Sequence, residues 1–179
     1  MRRILSIMLV LAVFVPCCGG PTSATVGSAS GNIAVYFSPN GGCTDAIVKA
    51  LDDAKSTVLV QAYSFTSAPI AKAIVDAHKR GVKVQVILDK SQRTEKYSSA
   101  DFVAHAGIAT FIDEQHKIAH NKIMVIDDQT VITGSFNFTK SAEESNAENL
   151  LVIRSKELAK AYTDNWQVHL AHSVAYGGR

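Results

Sequence analysis

The residues from His120 to Thr139, "HNKIMVIDDQTVITGSFNFT", combine an apolar hairpin pattern with polar groups that a hairpin does not need. On a strand, positions i and i+2 share a face, so His120 and Lys122 point together, about 7 Å apart along the backbone. If the turn centres on Asp128, Lys122 lies opposite Gly134 and His120 opposite Phe136. Ser135 and Asn137 then come beside them. Gly134 leaves room for close approach of a ligand or of another backbone. One small surface thus carries an imidazole, an ammonium, a hydroxyl and a carboxamide. The last three can all donate hydrogen bonds. Such a set suits an oxyanion with several oxygens, above all a phosphate, and the imidazole can attack it or handle its proton. Asp127 is an odd number of places from His120 and Lys122. It points to the opposite face of a regular strand, which makes it a structural residue.

Other chemistries fit less well. His116 and His120 are four apart with Asp113 and Glu114 nearby, which raises a metal site. That spacing converges on a helix, whereas "IAHNKIMVI" reads as a strand, and the Lys122 ammonium would repel a cation. No metal and no cofactor is therefore expected. "TGSFN" lacks the Gly-x-Ser-x-Gly of a serine hydrolase, and there is no Gly-rich phosphate loop.

"HNKIMVID" matches His-x-Lys-(x)4-Asp, and the residues after Asp127 lead into "GSFN". In this the chain resembles the phospholipase D superfamily, and more closely its short, single-motif bacterial members that act as secreted nucleases. "AVYFSPNGGC", "QAYSFTS" and "RGVKVQVILD" extend the similarity over residues 32 to 170. The resemblance implies that His120 is the nucleophile and forms a covalent phosphohistidine. It implies that Lys122, Ser135 and Asn137 hold the phosphate, and that Asp127 and Gly134 belong to the motif. Glu148, in "AENLLVI", matches the family's glutamate that orients the nucleophilic histidine. A second motif histidine, the family's usual general acid, is missing. Short members supply it as homodimers, and two-fold symmetry would bring two copies of His120 to one phosphate. The expected activity is metal-independent endonucleolytic cleavage of DNA, with RNA as a further substrate. The alternatives are phospholipase D-type hydrolysis of phospholipid head groups and a non-catalytic phosphate-binding module of the same fold.

The elements that must position these residues follow from periodicity. "NIAVYFSP", "TVLVQAYSF", "VKVQVILD", "IATFID", "KIMVID", "TVITG" and "NLLVIRS" read as strands, rich in β-branched residues. "TDAIVKALDDAK", with Thr44 as N-cap, the segment from Pro69 to Arg80 closed by Gly81, "SSADFVAHAG" and a long segment capped by Ser155 read as helices. Strands alternate with helices in the first half. The expected class is α/β: a mixed, largely parallel sheet with helices on both faces, phospholipase D-like.

Residues 1–24 read as a secretory signal, with a basic "MRR" head and the apolar run "ILSIMLVLAVFV". Residues 25–31 form a flexible linker and 32–179 the phosphodiesterase domain. A bacterial periplasmic or secreted location follows, with lipid anchoring at Cys17 or Cys18 left open. The chain has 18 basic and 16 acidic residues, and loss of Arg2 and Arg3 with the leader brings the two counts level. Net charge then offers no attraction for nucleic acid. A local patch, Lys79, Arg80, Lys83, Lys90, Arg93 and Lys96, could supply one. Cys43 stands alone in the mature chain and reads as a small buried hydrophobe.

Overall fold

The computed structural model describes residues 32–179. The leader, the linker, Cys17 and Cys18 lie outside the described residues.

The expected strands form, and one more closes the chain. They are β1 (Ile33–Ser38), β2 (Thr57–Ala62), β3 (Lys83–Asp89), β4 (Ala109–Asp113), β5 (Lys122–Ile126), β6 (Thr130–Gly134), β7 (Glu148–Arg154) and β8 (Val174–Tyr176). The helices are α1 (Cys43–Asp53), α2 (Ala68–Lys79), α3 (Ala100–His105), α4 (Lys140–Glu144) and α5 (Lys156–His172), with a 3₁₀ turn over Lys90–Arg93. Their ends follow local chemistry. Pro69 lies in the first turn of α2, and the Ser155 hydroxyl accepts from the Leu158 N–H at 3.1 Å to cap α5. Thr44 does not cap α1. It lies inside the first turn, and the Glu143 carboxylate reaches across from α4 to accept from the N–H groups of Gly42 and Thr44.

All eight strands form one sheet in the order β1-β7-β6-β5-β2-β3-β4-β8. It is mixed, as expected, but not largely parallel. Only β2–β3 and β3–β4 run parallel, and the other five pairings are antiparallel. Parallel neighbours need a long crossover. α2 supplies one between β2 and β3, and α3 one between β3 and β4. The crossover through α1 places β1 at the far edge beside β7, with β5, β6 and β7 inserted between it and β2. Alternation of helix and strand does not reveal that insertion.

Helices cover both faces. Val58, Val60 and Ala62 of β2 point into a core with Ile47 and Leu51 of α1 and Ile70 and Ile74 of α2. Leu59 points the other way and joins Ile123, Val125, Val131, Ala159 and Trp166 under α5. Trp166 Nε1 donates to the Val60 carbonyl at 3.0 Å, which pins α5 to the middle of the sheet. Cys43 is fully buried at the start of α1, and burial pushes its thiol up to about 12, so it packs as a hydrophobe.

Candidate active site

The β5–β6 hairpin pairs Met124 with Ile132, Val125 with Val131 and Ile126 with Thr130, the register expected for a turn centred on Asp128. Asp127 and Asp128 adopt left-handed backbone (φ 53° and 54°), and the Gln129 N–H closes the turn on the Ile126 carbonyl. Primed hairpin turns need such a conformation, and aspartate tolerates it better than most residues. Asp127 has a second task. Its carboxylate accepts the backbone N–H groups of Lys55, Ser56 and Thr57 and the Ser56 hydroxyl, at 2.7–3.2 Å. Burial alone would push its carboxyl up. Those donors outweigh it and hold the group below the usual carboxylate range. Asp127 thus ties the hairpin to the start of β2, at the sheet end remote from His120.

At the other end of the hairpin, His120, Asn121, Lys122, Ser135, Asn137 and Glu148 line one cleft of about 460 Å³, with Gly134 and Tyr162 on its walls. The expected set therefore converges. His120 is exposed, on the loop that precedes β5. Buried carboxylates hold that loop. Asp89, at the end of β3, accepts the Ala119 N–H at 2.7 Å, and Asp113, at the end of β4, accepts the N–H groups of Gln115 and His116. The Asn121 carbonyl accepts the Tyr63 N–H just beyond β2.

Lys122 is only 6% exposed, and its ammonium donates to the His120 carbonyl at 2.7 Å. Burial pushes this ammonium below the ordinary lysine range, and the nearby Glu148 charge works against that. The Ser135 hydroxyl accepts from Asn149 N–H at 3.1 Å and keeps its own proton to donate elsewhere. Asn137 Oδ1 is buried with no hydrogen-bond partner; it can only accept, so a phosphate oxygen would be held by the Nδ2 hydrogens of the same amide. Gly134 (φ 144°) makes room for backbone: a Cβ there would meet the Asn149 carbonyl oxygen of β7 at 2.3 Å.

Glu148 departs from expectation. It lines the cleft, but its Oε1 accepts from Asn146 Nδ2 at 3.2 Å, and no hydrogen bond joins it to the His120 ring. Its charge acts on the Lys122 ammonium and, as a lesser cause, on the Cys43 thiol.

Sequence reasoning missed Tyr63. Its ring packs against the His120 imidazole (centroids 4.6 Å apart), and the Lys122 ammonium lies 5.3 Å from the ring centre. "QAYSF" held the signal, an aromatic just past a buried strand, but nothing in one sequence points it at His120.

His116 does not join His120. It turns to Asp113, together with His169 and His172 of α5, and these four could hold a metal ion. The spacings Asp-x-x-His and His-x-x-His could have shown the cluster.

The basic patch divides. Lys79, Arg80 and Lys83 lie at the start of β3, while Lys90, Arg93 and Lys96 lie beyond its end, about 20 Å of strand away. Two of the nearer cations are already engaged, Lys90 with the His116 carbonyl and Arg93 with Glu114.

With this geometry in place, relatives can be compared. The family model described as "Cardiolipin synthase, PLD-like domain" matches residues 47–169, which include the whole cleft. The chain belongs to the phospholipase D superfamily. Its relatives make it a phosphodiesterase, a hydrolase of phosphodiester bonds. A protein named phospholipase D from Rickettsia conorii is 42% identical over 134 residues, 75% of this chain and 67% of that one. Among solved structures, the phospholipase D family member Nuc from Salmonella typhimurium superposes with a TM-score of 0.78 at 38% identity, covering 80% of this chain and 97% of Nuc. NucT from Helicobacter pylori gives 0.75 at 26% identity, covering 80% and 98%.

Proposed function

We propose that this phosphodiesterase is an exported endonuclease that cleaves DNA, and RNA by the same chemistry, through a phosphohistidine on His120. The observation that carries the reading is the exposed His120 ring in a cleft with Lys122, Ser135 and Asn137. A nitrogen of His120 attacks phosphorus, and the bond to the leaving oxygen breaks. The buried Lys122 ammonium, the Ser135 hydroxyl and the Asn137 amide balance the charge on the non-bridging oxygens. The leaving alkoxide takes a proton from His120 of the partner subunit in a two-fold dimer. Water then attacks the phosphohistidine and gives a proton to the now neutral His120 of the partner subunit, the P–N bond breaks, and both imidazoles return to their starting states. Exposure of His120, and of Ile118 on the same loop, supports a site at which a second copy could close.

The cleft favours a polymer over a lipid. It is open, with His120, Lys122, Ser135 and Asn137 presenting polar groups to it, so it can take a phosphodiester from a long chain that continues past it on both sides. The leader supports export to a bacterial periplasm or beyond, and mass spectrometry of protein from the native host should find a mature N-terminus near Thr25. The substrate test is direct. Purified protein is incubated side by side with plasmid DNA, RNA and phosphatidylcholine, with and without EDTA. Cleavage of the nucleic acids in both conditions is expected. Release of choline with intact plasmid would move the protein to the lipid branch, and strict dependence on a divalent ion in protein that stays folded in EDTA would remove the histidine mechanism.

A further inference from the structure

Asp113 closes β4 with its side chain fully buried, and three imidazoles converge on it. His116 Nδ1 stands 3.0 Å from Asp113 Oδ2, His169 Nδ1 2.8 Å and His172 Nε2 3.3 Å from the same oxygen. The three rings pack with centroids 5.0–5.4 Å apart. One ligating atom from each of the four residues lies within 4.8 Å of all the others.

Hydrogen bonding accounts for two of the three rings: His169 Nδ1 reaches Asp113 Oδ2, and His116 Nδ1 lies 3.0–3.1 Å from both carboxylate oxygens. It leaves the third ring unexplained. His172 Nε2 is buried and makes no hydrogen bond, although it faces the carboxylate. Protonating all three rings would instead place like charges in contact. The spacing suits a cation. Tetrahedral ligands about 2.0–2.1 Å from zinc lie roughly 3.3 Å from one another, a few tenths of an ångström from the gaps to Asp113.

We propose that Asp113, His116, His169 and His172 form a binding site for one divalent transition-metal ion, with zinc the best fit. Three imidazole nitrogens and one carboxylate oxygen complete a tetrahedron and exclude calcium and magnesium, which take all-oxygen shells. With four protein ligands and no open position, the ion is structural. It clamps the C-terminal end of α5 to the end of β4 and to the loop that carries His120 four residues after His116. His120 is not a ligand, so the site stands or falls apart from the phosphodiesterase mechanism.

The test uses the purified protein stripped with EDTA. Zinc is titrated by calorimetry, and cobalt(II) by visible absorption. One ion per chain is expected, with the absorption of four-coordinate cobalt. Zinc at a hundredfold excess over its Kd should raise the melting temperature by about 5 °C or more. His169→Gln and His172→Gln should each weaken binding at least about tenfold, and His120→Gln should leave it unchanged. Should a variant not fold, X-ray absorption of the cobalt-loaded wild type decides, with three imidazoles in the shell as the expected count. A folded wild type that takes up no zinc overturns the proposal. So does binding that survives loss of both helix histidines, or that disappears with His120.

Discussion

At the scale of single residues, the cleft depends on one charge kept in an unfavourable place. Burial lowers the proton affinity of Lys122, and Glu148 partly restores it. Glu148→Gln removes that restoring charge and should move the Lys122 titration to lower pH, read from its ε-carbon by NMR. A midpoint that stays put or rises would instead leave Glu148 the orienting role that family resemblance gives it. The phosphate-holding set was only partly legible from the sequence. Parity joins His120 with Lys122, and hairpin register brings the end of β6 beside them. Ser135 and Asn137 have the opposite parity. They reach the cleft where β6 ends at Gly134 and the Ser135 and Phe136 N–H groups share the Asn149 carbonyl. The partner of Glu148 was not legible. It depends on a side-chain rotamer, and the nearer donor is Asn146. His116 teaches the same lesson, since its distance in sequence from His169 hides a shared carboxylate.

At the scale of elements, the hairpin is the device that assembles the site, and Asp127 fastens it. Asp127→Ala would strand the N–H groups of Lys55, Ser56 and Thr57 and should cost on the order of 2–3 kcal/mol in denaturant unfolding. The pH dependence has a definite sign. The folded-state pKa of Asp127 is lowered, so its contribution is present above the unfolded value of about 3.9 and fades as pH falls through the native one. Wild type and Asp127→Ala should therefore converge in stability toward strongly acidic pH, and a gap that widens there would contradict this role. Hairpin register could be read from the sequence because alternation and turn chemistry agree on it. Strand order could not. Nothing local states that β5, β6 and β7 insert between β1 and β2, and this insertion makes the sheet mainly antiparallel.

At the scale of the whole molecule, one chain supplies one motif histidine for a reaction that needs two, a nucleophile and an acid. The proposed dimer meets the need by symmetry. One His120 must be neutral while its twin is protonated, so activity should follow a bell-shaped pH profile whose apparent pKa values belong to the pair. Mixing wild-type with His120→Ala subunits should give heterodimers that are inactive or nearly so, because each site draws on both chains. A fully active monomer at assay concentration would require another acid. The covalent intermediate is the step on which the rest depends. A reaction of wild-type protein with phosphate-labelled oligonucleotide, quenched in base within the first turnovers and mapped by mass spectrometry, reads it directly. The expected result is one oligonucleotide joined through its phosphorus to the peptide that carries His120, absent from His120→Ala. A burst of product with no adduct on His120, or an adduct on another residue, would contradict it.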